Sequence, residues 1–287
     1  MAPPWVQGRS PGVFPTPFHV ERGAPGGTPP PRSGELQSNT EVVDIKYNFD
    51  FHFHSCLSPC GDAAMTPATL AGMGKLAGLD LMALTDHNSC GNCRAFCAAA
   101  EHYGLVGVPG MELCTLEEVH VICLFPDVDA AEGFSALVAD RLPPLPNDPA
   151  IFGPQVLMDE EDNVVGEETR MLAGATDIGV YEVAALAERY GGVAYPAHVD
   201  RPSFSLLSNL GLWDPGLGFP LAELSGHCPP DFPAGRRDMA GVAVIRGCDA
   251  HYLDQIADAG QSMDLDACTP EAALAWLRQK KNCHSQW

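Results

Sequence analysis

The chain has 287 residues, 46% of them hydrophobic, and carries a formal charge of −21 from 16 basic and 37 acidic side chains. Such a length supports one large domain with its own core, and the apolar content is that of a globular protein. No apolar run approaches the ~20 residues that span a bilayer, no signal-peptide core opens the chain, and the acidic balance excludes a broad nucleic-acid track built from Lys and Arg.

Residues 1–42 are rich in Pro, Gly, Ser and Thr and lack periodicity, so they are expected to be disordered; the folded domain is expected over 43–287. Tyr47, Phe49, Phe51 and Phe53 alternate as in a strand, which places His52 and His54 on one face. Thr66-Pro67 opens a helix that stops at Gly78. Leu79–Leu84 reads as a buried strand ending at Thr85-Asp86-His87, and a second helix ends at Gly104. Leu105–Pro109 is a third strand, followed by Gly110-Met111-Glu112. Val119–Phe125 is a fourth, opened by His120. Val128–Leu142 is helical, and Phe152–Arg170 reads as a hairpin with an acidic turn. Tyr181–Tyr190 is an amphipathic helix, and Val193–Ala197 is a strand ending at His198. Leu221–Leu224 and Val242–Ile245 are further strands that end near His227 and near Asp249–His251. A last helix opens at Thr269-Pro270 and runs to about Lys281.

This alternation is that of βαβ units, and ionisable residues at nearly every strand end favour a barrel over a doubly wound open sheet. The candidates His52, His54, Asp62, His87, Glu112, His120, His198, Asp249 and His251 are too many for one tetrahedral ion. They suit two or three clustered divalent cations of the kind used on phosphate esters. Mixed imidazole and carboxylate donors favour Mn, Zn or Fe over Mg.

The ordered motifs DFHFHS, LTDHN, PGMEL, EVHVICLF, PAHVDR and GCDAH, from Asp50 to His251, resemble the PHP (polymerase and histidinol phosphatase) family. The resemblance implies a distorted (β/α)7 barrel, here with a short β-hairpin excursion, a trinuclear metal centre and phosphoesterase activity. It maps metal ligands onto His52, His54, His87, Glu112, His120, His198, Asp249 and His251. Asp62 is the nearest equivalent of a loop aspartate in a loop longer than the family's. His52, His54, His198, Asp249 and His251 are assigned to catalysis, Asp50 and Asp86 to supporting roles. The expected reaction is hydrolysis of a small phosphorylated molecule, a phosphomonoester or nucleotide phosphate, by hydroxide made available by the ions.

Arg201, with Ser203 beside it, is the candidate phosphate contact; the plain alternative for Arg201 is a surface salt bridge. Lys75 and Arg94 are weaker candidates. Cys56, Cys60, Cys90, Cys93 and Cys97 are expected near one barrel mouth, as reduced thiols or as a redox or soft-metal element. With 11 cysteines and no export signal, a disulfide framework is not expected and a cytoplasmic setting is. Two other functions fit the same residues: a phosphodiesterase or exonuclease on short oligonucleotides, and a non-catalytic module sensing metal or redox state. Neither long nucleic acid nor membrane is an expected partner.

Overall fold

The computed structural model describes residues 45–229, 231–279 and the backbone of 284–285, so the segment 1–42 expected to be disordered lies outside the described residues. In chain order the elements begin β1 (Ile45–Asp50), α1 (Pro67–Leu76), β2 (Leu81–Leu84), α2 (Cys93–Tyr103), β3 (Val106–Cys114), β4 (His120–Leu124) and α3 (Val128–Arg141). A short α4 (Pro149–Phe152), the strands β5 (Val156–Met158) and β6 (Val164–Glu167), then α5 (Val180–Arg189) and β7 (Val193–Pro196) follow. The chain continues through α6 (Leu206–Asn209), β8 (Leu221–Ser225), α7 (Phe232–Gly235), β9 (Ala243–Gly247), β10 (Gln261–Leu265) and α8 (Pro270–Arg278). Among the described residues no helix is long and apolar enough to cross a membrane.

One curled sheet runs in the order β10-β1-β2-β3-β4-β7, and β8 and β9 form a separate parallel pair. Single contacts tie that pair to both ends of the curl. Val199 N–H donates to Glu223 O (2.9 Å), Asp249 N–H to His52 O (3.0 Å) and His54 N–H to Ala250 O (3.1 Å). The (β/α)7 expectation is met as a barrel-like α/β arrangement, with two departures. First, β4 is antiparallel to both β3 and β7 and follows β3 by a tight turn rather than a helix, with Thr115 N–H bonded to Val119 O. Second, β10 pairs antiparallel with Ile45–Asn48 at the start of β1, outside the ring of strands. The expected hairpin forms as β5–β6.

Local chemistry explains the boundaries. Pro67 opens α1, and the cap comes from the distant hairpin: Asp162 accepts from Ala68 N–H (2.8 Å) and from the Thr66 hydroxyl. Gly104, at φ +66°, ends α2 in the left-handed conformation that glycine adopts without cost. Strand β3 runs past Pro109 to Cys114, so Glu112 lies inside a strand rather than after one.

Two large apolar cores result, with a small third cluster of Leu57, Leu142 and Leu172. One lies between the helices and the outer strand faces, with Met82, Leu84, Met111, Leu113, Val121 and Cys123 among its members. The other includes Phe49, Leu81, Val108, Ile122, Leu124, Tyr195, Leu221 and Ile245, with Trp276 and Leu277 of α8 packed among them. Trp276 meets Phe49 edge to face at 6.0 Å. Full burial of each such side chain contributes about 2–3 kcal/mol.

Candidate metal centre

Period-two alternation carries the second core into a polar cluster on the same strand faces. Along β3 the face that holds Val108 next holds Gly110 and then Glu112; along antiparallel β4, Leu124 and Ile122 lead to His120. Along β8, Leu221 is followed by Glu223, and Ile245 of β9 by Gly247 and, past the strand end, Asp249. His52 and His54 arrive from the extension of β1, His87 from that of β2, His198 from that of β7. His198 (φ +29°) and Asp249 (φ +52°) hold left-handed backbone that non-glycine residues adopt at a cost of about 1–3 kcal/mol.

Glu112 is the centre of the cluster. Its Oε1 lies 3.3 Å from His52 Nε2, 2.9 Å from His120 Nδ1 and 3.0 Å from His198 Nε2. Its Oε2 lies 3.3 Å from His54 Nε2 and 2.9 Å from His87 Nδ1. Asp249 Oδ1 lies 3.2 Å from His52 Nε2, 3.1 Å from His54 Nε2 and 3.5 Å from His251 Nδ1. Yet Glu112 Oε2, Asp249 Oδ1 and the Nδ1 atoms of His120 and His198 are buried without a hydrogen-bond partner. His198 Nε2 and Glu112 Oε1 form a hydrogen bond, but the approaches to Glu112 Oε2, to Asp249 Oδ1 and from His120 Nδ1 are not aligned as hydrogen bonds. The donor atoms converge on common points between them, and buried polar atoms left so are costly unless something fills those points.

The far sides of two rings decide what can. His52 Nδ1 lies 2.7 Å from Glu223 Oε1, so its N–H points to that carboxylate. His54 Nδ1 lies 2.9 Å from Ser58 Oγ, whose own proton goes to Asp86 Oδ1 (2.7 Å). Both rings then present bare Nε2 lone pairs to the cluster, only 3.2 Å apart, and two lone pairs at that distance require a proton or a cation between them. Three overlapping groups, each with ligand atoms within 4.8 Å of one another, can hold metal ions: His54, His87 and His251; His52, His54, Glu112 and Asp249; His87, Glu112 and His120. Their mixed nitrogen and oxygen donors fit divalent transition metals.

The electrostatics without a cation agree. Burial alone would lower the pKa of His52, but Glu223, Asp249 and Glu112 outweigh it and hold it well above the ordinary value. His54 and His87 are raised against burial in the same way, by Asp249 and Glu112 for the first and by Glu112 and a Cys60 contact for the second. Burial would raise Glu112 and Asp249, yet the surrounding imidazoles hold both far below the carboxylate range. His251 goes the other way, down to about 3, through burial and the neighbouring His54. Asp50, buried and facing Glu223, rises to about 7 while accepting from the backbone N–H groups of His52 and Cys248. Around Glu112 and Asp249 the site thus attracts positive charge, while His251 is held neutral.

Eight of the nine predicted ligand positions come together here; Asp62 does not. Its side chain is exposed and accepts from Ala64 N–H (2.9 Å), while its backbone N–H holds His251 O (2.9 Å). The loop from His54 to Asp62 is instead fixed by Asp86, which accepts from the backbone and hydroxyl of Ser55 and from Ser58. Arg201 Nη1 pairs with Asp249 Oδ2 (2.5 Å), and Arg201 and Ser203 line a cavity of about 230 Å³ over the cluster. Lys75 bonds to Gly104 O and Arg94 pairs with Asp129 and Glu132 on the exterior, so neither faces the site.

The five cysteines are not gathered at the mouth. Cys90 and Cys93 are buried on the helix side of the sheet, both donating to Gly110 O, and burial pushes Cys90 and Cys97 upward. Cys56 is buried under the hairpin with its pKa raised to about 12, and only Cys60 is exposed. Two residues escaped the sequence reading, Glu223 and Ser58. Their signal was the pairing of each with a histidine, which only the folded chain shows.

No protein-family model and no curated protein sequence matches the chain. Solved structures do. The lesion-specific endonuclease PfuEndoQ from Pyrococcus furiosus is similar with a TM-score of 0.60 at 16% identity, over 83% of this chain and 57% of that one. A protein assigned as a metal-dependent phosphoesterase from Bifidobacterium adolescentis is similar at 0.51 and 19%, over 75% of this chain and 92% of its own. The fold is that of these hydrolases. An amidohydrolase from Chromobacterium violaceum shares it at 0.50 and 20%, over 83% and 98% of the two chains. The chain spans little more than half the length of the endonuclease. The resemblance to metal-dependent phosphoesterases read from the motifs therefore extends to the fold, with the motif residues at one buried cluster.

Proposed function

We propose that the chain is a phosphoesterase that uses two or three Mn, Zn or Fe ions to hydrolyse a small phosphorylated molecule, a phosphomonoester or nucleotide phosphate. The observation that carries this reading is the convergence of imidazole nitrogens on Glu112 and Asp249, whose Oε2 and Oδ1 are buried without a hydrogen-bond partner. His52, His54, His87, His120, His198, His251, Glu112 and Asp249 would hold the ions, with Glu112 shared between groups. Bound there, divalent ions supply hydroxide near neutral pH and positive charge for the phosphoryl oxygens.

The chain's own residues do the rest. Glu223 and Ser58 hold His52 and His54 in the tautomer that leaves Nε2 free. Arg201 orients Asp249 through one nitrogen and, part-exposed, offers its remaining N–H groups to a phosphate in the cavity. Ser203 lies on the same rim. The acidic charge and the small cavity favour a small substrate over long nucleic acid, and no membrane partner is proposed.

A phosphodiester reading is favoured by one finding, the likeness in fold to a DNA-lesion endonuclease. The two are separated by comparing p-nitrophenyl phosphate with bis-p-nitrophenyl phosphate and a short oligonucleotide, using manganese- or zinc-loaded protein. Faster turnover of the monoester, lost in His52→Ala and Asp249→Ala, is expected. Preference for the diester would transfer the assignment to the second reading, and no turnover of either would refute both. The buried thiols give the redox-sensor reading no support of their own.

A further inference from the structure

Among the described residues that line the cavity over the cluster, Phe204 is the one aromatic side chain other than the imidazoles. It is 44% exposed, and its backbone sits at φ +51°, a conformation that bulky residues rarely adopt. The strain is held in place by the site itself. Phe204 O accepts from His120 N–H (3.0 Å), and the next residue, Ser205, ties the loop back by donating to Arg201 O (2.7 Å). One face of the ring lies on the imidazole of His120, with centroids 4.8 Å apart and planes 28° apart. A backbone conformation this unfavourable thus presents a flat apolar surface beside an otherwise polar, cation-seeking cavity.

We propose that Phe204 is a stacking platform for the planar ring of the substrate's leaving group, and that the substrate class is a nucleoside phosphate. This rests on the phosphoesterase reading. Arg201 and Ser203, on the same loop, face the phosphoryl position, and a cavity of about 230 Å³ takes the phosphate with part of a sugar. A base attached to that sugar lies at the rim, where Phe204 stands. Base–aromatic stacking tolerates any base because each has a π-face, so little discrimination among bases is expected. A single part-exposed ring also suits one base rather than a run of them.

The test uses metal-loaded protein and the variants Phe204→Leu and Phe204→Trp. The first readout is the ratio of kcat/KM for a nucleoside monophosphate to that for glycerol phosphate. Stacking predicts that this ratio falls about tenfold in Phe204→Leu, mainly through KM, and is kept in Phe204→Trp. The second readout is indole fluorescence of Phe204→Trp, which a nucleoside monophosphate should quench and glycerol phosphate should not. An unchanged ratio in Phe204→Leu, or no selective quenching, overturns the platform even if hydrolysis persists. Selective quenching with no hydrolysis of any phosphoester overturns the phosphoesterase reading and leaves the platform standing.

Discussion

The two ends of the barrel interior are made from the same strands, yet one is an apolar plug and the other a cluster of imidazoles and carboxylates. Val108 and Glu112 share one face of β3, Ile122 and His120 one face of β4, Leu221 and Glu223 one face of β8. At the plug, Trp276 and Leu277 of α8 fill the space with groups that gain by leaving water. At the cluster, equally buried groups lose by it, and unpartnered atoms remain. Stability is thus gained at one end and partly spent at the other, where the strain of His198 and Asp249 also collects.

If this division is right, substitutions at the two ends should fail differently. The largest effect on activity is expected from Glu112→Gln, which removes the charge shared by two of the three metal groups. Turnover should fall by about a thousandfold or more, beyond the roughly 10–100-fold typical of supporting residues, and metal analysis should show lost ions while the fold survives. Trp276→Ala should do the reverse, costing about 3–5 kcal/mol in denaturant unfolding with metal stoichiometry retained in the folded fraction. Glu223→Gln should reduce metal affinity roughly 10–100-fold by loosening His52, measured by competition with a chelating dye.

The pH dependence sharpens the same contrast. His52, His54 and His87 have folded pKa values raised above 6.5, so the stability they lend the metal-free protein is full below that pH. It is lost as pH rises through the raised values. The melting temperature of chelator-treated protein should therefore fall from pH 6.5 toward 9, while the metal-loaded protein stays flat and takes up its ions with release of protons. The smallest effect is expected at Cys93→Ser, whose thiol faces the helix side of the sheet; turnover and metal content should stay within about twofold, and a larger change would return the cysteines to the site.

Much of the site was legible because its ligands interrupt apolar runs at strand ends, where a polar residue has few structural reasons to be. The histidines of DFHFHS, LTDHN and PAHVDR stood out on that ground. Glu223 did not, because one carboxylate inside LAEL reads like the wet face of a half-buried strand, whereas here that face is the barrel interior. Asp62 was misplaced for a related reason: a loop has no periodicity, and nothing in the sequence shows that its carboxylate caps Ala64. Strand β10, QSMDL, is not legible in the sequence since its alternating polar residues read as a surface segment and it pairs outside the ring. The cysteines are free thiols, as one of the two expectations had it, but they do not share one mouth: α2 begins only at Cys93, which turns Cys90 and Cys93 toward the outer core.

The most direct test of the central claim is the metal content of the purified chain, wild type beside Glu112→Gln, after loading with manganese or zinc and removal of excess. Two or three ions per wild-type chain are expected, and at least one fewer in the variant, with phosphoester hydrolysis lost in parallel. A wild-type chain that retains no divalent ion, or a Glu112→Gln chain that retains as many as the wild type, would contradict that claim.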